Sequence, residues 1–191
     1  MLRALRAEVL ADPPGDVLVF LPGQGEIRGC CQALGEALPG WRVLPLHGSQ
    51  TAEEQDAVLQ GEPGRRVICA TNIAETSLTV PGVRCVIDAG LQRVDRHDPE
   101  SGFQALELEP CSGFQAEQRR GRAGRLGPGL CVRLWSRIED GRRPAELEPE
   151  LCRADLVPVV LDLAAWWGGD PAAFPWLDGP GPAALAEAAA D

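Results

Sequence analysis

"RRVICATNIAETSLTVPGVRCVIDAG", residues 65–90, holds two short apolar runs around a polar centre. RRVICATN (65–72) and VRCVIDAG (83–90) each read as a strand, rich in Val, Ile and Cys and too short for a core helix. Between them Thr71, Asn72, Glu75, Thr76, Ser77 and Thr79 crowd the end of the first. Upstream, GDVLVFLPG (15–23) is a β-rich run closed by Pro-Gly, a buried strand. In GEIRGCCQALGEAL (25–38) the apolar positions Ile27, Cys30, Cys31, Leu34 and Leu38 recur at helical spacing. WRVLPLHG (41–48) is a strand, and SQTAEEQDAVL (49–59), with Ser and Thr ahead of acids, is a helix. Strands alternating with helices predict an α/β fold, a parallel sheet covered on both faces.

Downstream the pattern changes. LQRVD (91–95) and FQALELE (103–109) alternate around the turn sequence RHDPESG, which predicts a β-hairpin at about 91–109. SGFQAEQRRGRAGR (112–125) opens with a Ser cap and reads as a helix, and GLCVRLW (129–135) as a last strand. GRRPAELEPE (141–150) is a polar linker. LCRADLVPVVLDLAAWW (151–167) is an apolar helix in which Pro158 fits only near the start or as a kink. The Ala-rich tail suggests no completed fold.

The chain has 191 residues, 45% of them apolar, and a net charge of −10. All eighteen basic residues are Arg; Lys is absent. Residues 118–143 carry +6, and each flanking region carries −8. A local cluster against an acidic background favours a site over a surface that coats a polyanion. Seven cysteines without a CxxC pair, and two isolated histidines, argue against a zinc site or a disulfide framework, leaving buried thiols. No apolar run is long enough to span a bilayer, and Arg6 and Glu8 interrupt any leader. The expectation is a cytoplasmic protein with no membrane partner and no resident metal.

In QRRGRAGR (118–125), Gln118, Arg122 and Arg125 stand at i, i+4 and i+7, one face of a helix. Two guanidiniums and an amide suit an anion with several oxygens, such as a phosphate in transfer. An RNA-backbone patch or a solvated basic face would share that composition. Gly121 and Gly124 cost helix stability and leave backbone open to close approach. Arg119 and Arg120 read as surface charges. Thr71 and Asn72 would open a short helix offering N–H groups to a phosphate, or cap it in the ordinary way. Gly48 and Ser49 form a loop that would admit a nucleic-acid backbone, as many strand-to-helix loops would.

The ordered set LVFLPGQGEI (18–27), LPLHGS (44–49), ATNIAETSLTVPGVRCVIDAG (70–90), the hairpin and QRRGRAGR resembles the second RecA-like domain of superfamily 2 DEAH-box helicases, from about Asp16 to Trp135. The segment after 150 resembles the start of the winged helix of the HrpB-type bacterial branch. The resemblance implies residues 1–140 as the RecA-like domain and 141–191 as a linker and incipient winged helix. It implies that Gln118 helps order the attacking water or touches the γ-phosphate, and that Arg122 and Arg125 meet the γ-phosphate, Arg125 as finger. Ser77 and Thr79 would lie by the ribose and phosphates, and Leu59 where relatives stack an aromatic on the base. Gly48, Ser49, Thr71 and Asn72 would hold the nucleic-acid backbone, and the hairpin would act as a wedge or strand guide. Pro81 stands where the family usually has an acid for the ribose. There is no G-x-x-x-x-G-K-[ST] and no DEAH. The implied cofactor is ATP with Mg²⁺, bound jointly with a first RecA-like lobe in cis or trans; the implied partner is single-stranded RNA. The resemblance implies an enzyme only as part of a complete helicase, the chain alone being inactive. Two other readings stay open: a non-catalytic lobe that binds RNA or protein, and a free-standing nucleotide-binding domain.

Overall fold

The computed structural model describes residues 15–62, 65–75, 78–98, 103–125 and 127–190. The elements are β1 (Asp16–Phe20), α1 (Gln24–Ala37), β2 (Arg42–Leu46), α2 (Ala52–Leu59), β3 (Arg66–Ala70), β4 (Val83–Asp88), β5 (Leu91–Asp98), β6 (Phe103–Pro110), α3 (Gly113–Ala123), β7 (Leu130–Arg133), α4 (Arg137–Asp140), α5 (Val157–Trp166) and α6 (Pro182–Ala188). Short 3-10 turns sit at Asn72–Ala74, Glu150–Cys152 and Pro171–Ala173. The chain divides into two compact units, Met1–Arg93 with Leu108–Leu147, and Val94–Glu107 with Glu148–Asp191.

In the first unit five strands form one sheet in the order β2-β3-β1-β4-β7, every pairing parallel. All five residues of β1 and of β3 are buried. A central parallel strand is covered on both faces, so its sequence is an apolar run and not an alternation. The edge strand β2 is half-buried and carries Pro45, a residue that only an edge tolerates. Helix α1 covers one face: Ile27, Cys30, Leu34 and Leu38 pack on Val17, Val19, Val67, Cys69, Cys85 and Ile87. The other face, with Leu18, Phe20, Ile68 and Val86, takes Val58 of α2, Ala74 and Ala123 of α3. The mixed α/β architecture inferred from the alternating runs is the one observed.

A buried guanidinium ties the sheet's lower edge together. Arg66 bridges to Asp16, with Nε 2.8 Å from Oδ2, and neither side chain is exposed. Its remaining N–H groups donate to the carbonyls of Val58, Gly61 and Pro81 at 3.0, 2.8 and 2.8 Å. A buried cation is tolerated when each donor has an acceptor, and here that condition is met.

In the second unit Pro158 lies in the first turn of α5, and Asp155 Oδ1 accepts the Val157 N–H at 2.9 Å. The expected helix over 151–167 is therefore split, because proline can enter a helix only at its start. The tail folds further than its sequence suggested: Leu185 of α6 packs with Leu156, Val160 and Leu163. The hairpin is present as β5 and β6, with its turn, 99–102, outside the described residues.

Candidate nucleotide and nucleic-acid site

Helix α3 begins with a capping box: Ser112 Oγ accepts from Gln115 N, and the Gln115 side chain accepts from Ser112 N. Its buried residues, Gln115, Ala116, Arg119, Arg122 and Ala123, form one stripe toward the sheet. The helix ends at Ala123 with Gly124 as C-cap. A Cβ on Gly129 would lie 2.1 Å from the Ala123 carbonyl oxygen, so the strand after the helix can approach its end only through glycine. Arg125 therefore stands beyond the last turn and does not share a helical face with Gln118 and Arg122, which corrects the i+7 expectation.

Arg119 is the second correction. It is no surface charge: it is 1% exposed, donates from Nε to Glu75 Oε2 at 2.9 Å and from Nη1 to Asp88 Oδ1 at 3.0 Å, and lies over the Phe20 ring. Its position in the 116–119–123 stripe aims it at the sheet, and two buried carboxylates compensate it. Burial pushes the Glu75 carboxyl above its ordinary range, with Arg119 pulling the other way. Asp88 Oδ1 also accepts the Gly90 N–H at 2.8 Å, and Gln115 donates to Gln92 at 2.7 Å. One guanidinium thus joins α3, the segment after β3 and the end of β4. Arg120, in contrast, is exposed and pairs with Glu117.

Arg122 is 8% exposed, donates to the Leu78 carbonyl at 3.0 Å and bonds the Glu75 carbonyl. Burial, and then the charge of Arg125, lower its pKa. The Arg125 guanidinium is exposed and bonds the Thr79 hydroxyl. Thr79, Arg122 and Arg125 line one small recess with Leu18, Val80 and Val83. Gln118 is half-buried and no other side chain among the described residues engages it. Cβ atoms built on Gly121 and Gly124 meet nothing within 4 Å. Ser77 lies outside the described residues. Leu59, at the end of α2, packs partly against the core of that face.

A second group gathers where β2 and β3 end. Leu46 and Ala70 are register partners, and the Thr71 N–H donates to the Leu46 carbonyl at 3.2 Å. This brings Gly48 and Ser49 beside Thr71 and Asn72. Gln24 Nε2 donates to Ser49 Oγ at 2.6 Å, and Ser49 Oγ shares a 2.9 Å hydrogen bond with His47 Nδ1. Gly48 and Asn72 are exposed, Ser49 is exposed, and Thr71 is half-buried. Sequence reasoning missed Gln24, His47 and Asp88, gave Glu75 no partner, and placed Arg119 on the surface. The stripe 116–119–123 was a readable signal for Arg119; nothing in the sequence paired it with its acids.

In the first group the exposed Arg125 guanidinium and the Thr79 hydroxyl, bonded to each other beside Arg122, are groups that can bind an anion; Gln118 does not line that recess. The second offers hydroxyls and main chain to an extended backbone. Among the described residues no cluster of three His, Cys, Asp or Glu could hold a metal ion.

The family model for the helicase conserved C-terminal domain matches residues 1–127. The chain is 42% identical over 174 residues to the ATP-dependent RNA helicase HrpA of Escherichia coli, covering 91% of this chain and 13% of that protein. It is 41% identical over 177 residues to the ATP-dependent RNA helicase HrpB of the same organism, covering 91% of this chain and 22% of the relative. The crystal structure of the Escherichia coli DEAH/RHA helicase HrpB superposes with a TM-score of 0.89 at 37% identity, over 98% of this chain and 24% of that one. The chain thus spans less than a quarter of the length of these relatives.

Proposed function

The chain belongs to the helicase conserved C-terminal domain family, and from that premise we propose that it is the second RecA-like lobe of an ATP-dependent RNA helicase of the DEAH class. Two groups of residues on one lobe support this: Arg125 just past the end of α3 with Thr79 and Arg122, and Gly48, Ser49, Thr71 and Asn72 at the ends of β2 and β3. The observation that carries it is the recess where Arg125 and Thr79 meet beside Arg122. A first lobe, in cis or in trans, would supply the P-loop lysine that a chain without Lys cannot, and the acids that hold Mg²⁺.

When bound, ATP supplies the phosphoryl group whose transfer drives the cycle. Arg125 holds a fixed positive charge where negative charge builds on the phosphoryl oxygens, and Gln118 orients water. Arg122, anchored on the Glu75 and Leu78 carbonyls, braces the segment that presents Thr79. Gly48, Ser49, Thr71 and Asn72 grip a single RNA strand through its backbone, which implies little sequence preference. Arg119 links α3 to the segment that begins at Thr71, so a change at the phosphates is felt at the strand. The site of action in this reading is the cytoplasm.

In the complete helicase, Arg125→Ala is expected to lower RNA-stimulated ATPase at least 10³-fold, as arginine fingers do, while RNA affinity changes less than about threefold. Unchanged turnover in a steady-state phosphate-release assay overturns the finger assignment. A second reading, a lobe that binds RNA without turnover, is favoured by Pro81, whose carbonyl is taken by Arg66 and which offers no acid to a ribose. It predicts that the complete protein binds RNA with no stimulated hydrolysis.

A further inference from the structure

The chain has seven cysteines, all of them thiols. Three converge on the face of the sheet that α1 covers. Cys30 Sγ on α1 lies 3.4 Å from Cys69 Sγ on β3, at 6% and 0% exposure. Cys31, half-buried and next in sequence, packs against the same core. Filling this face requires only small apolar side chains, and it does not require sulfur against sulfur. The hydrogen bond shared with Cys69 holds the Cys30 thiol below its ordinary range, with burial opposing, while the same contact and burial push the Cys69 thiol up. Two sulfurs 3.4 Å apart stand close enough for one to resolve an oxidised form of the other.

We propose that Cys30 and Cys69 form a peroxide-sensitive dithiol, a modification site that closes into a disulfide joining α1 to β3. The oxidant is a hydroperoxide. The Cys30 thiolate attacks its distal oxygen; the S–O bond forms, the O–O bond breaks, and hydroxide or alkoxide leaves. The Cys69 sulfur then attacks the sulfenic sulfur; the S–S bond forms, the S–O bond breaks, and the hydroxyl departs with the Cys69 proton as water. Two thiols are oxidised and one peroxide is reduced, to two waters or to water and an alcohol. Cys69 is fully buried, but as the resolving thiol it meets only its neighbour and never the oxidant. The two sulfurs must close from 3.4 Å to a bond of about 2.05 Å. The bond would join positions 39 apart in sequence, a constraint on the unfolded chain. The proposal does not depend on the helicase reading.

The test uses the 191-residue chain with Cys152→Ser, which removes the exposed thiol. Reduced protein is treated with hydrogen peroxide, its thiols are counted in denaturant, and its linkages are mapped by mass spectrometry of peptides. The expected result is loss of two of the remaining thiols, a peptide joining Cys30 to Cys69, and an unfolding midpoint several degrees higher that falls back with dithiothreitol. Adding Cys69→Ala is expected to abolish the linkage; if that variant does not fold, Cys30→Ala serves the same purpose. Retention of every thiol in folded protein overturns the proposal. So does a linkage map without the Cys30–Cys69 peptide.

Discussion

Arg119 and Arg125 sit six positions apart in one motif and have opposite environments. Arg125 is exposed on the Thr79 hydroxyl, whereas Arg119 is sealed between Glu75 and Asp88. Their mutations should separate accordingly. Arg119→Met leaves two buried carboxylates uncompensated, and breaking such an ion pair costs about 3–5 kcal/mol. The urea midpoint of the isolated chain should fall by most of its value, and the m-value should stay constant. Arg125→Ala should leave that midpoint within experimental error. A small shift for Arg119→Met would mean that Glu75 and Asp88 find another partner. Composition could not distinguish the two residues, because the distinction lies in acids 44 and 31 positions away.

At the scale of elements, the strands were legible because β1, β3 and β4 are apolar runs bounded by Gly, Pro and polar residues. The cap of α3 was legible from Ser112. The end of α3 was not, since it is fixed by Gly129 approaching the Ala123 carbonyl, a contact between neighbours that no periodicity encodes. The gathering of Gly48 and Ser49 with Thr71 was half legible: each stretch pointed to a strand end, and only the pairing of β2 with β3 put them side by side. Two glycines, Gly121 in α3 and Gly129 in the loop after it, give a paired prediction. Gly129→Ala should destabilise the chain, for the added carbon meets backbone. Gly121→Ala should stabilise it by about 0.5–1 kcal/mol, the helix-propensity difference, because the added carbon meets nothing within 4 Å. In the complete helicase the same Gly121→Ala should slow ATPase if another surface comes close to α3. Differential calorimetry and turnover together check this; faster or unchanged turnover would mean that no surface approaches there.

Over the whole molecule, the charge of −10 bears on the proposed contact with RNA. The group at the ends of β2 and β3 is made of hydroxyls and main chain, while the guanidiniums of Arg119, Arg120 and Arg122 in α3 and of Arg125 after it are bonded to carbonyls, acids and Thr79. Few phosphates are then neutralised by arginine, so RNA binding by this chain alone should be weak. Its logarithmic dependence on salt should be shallow, a slope near one or two in place of the much steeper values of polyanion-coating proteins. Fluorescence anisotropy over a salt series measures it, and a steep slope would reassign the arginine cluster to RNA.

Pro45 in β2 acts beyond its own position. A parallel sheet ends in a row of open hydrogen-bonding groups that any extended segment could join. A proline at the middle of the outermost strand removes a donor from that row and stops further growth of the ladder. Proteins that string several α/β lobes along one polypeptide run the hazard of strand exchange between neighbouring sheets during synthesis. This lobe carries its own barrier to that error, one pyrrolidine ring on its open flank.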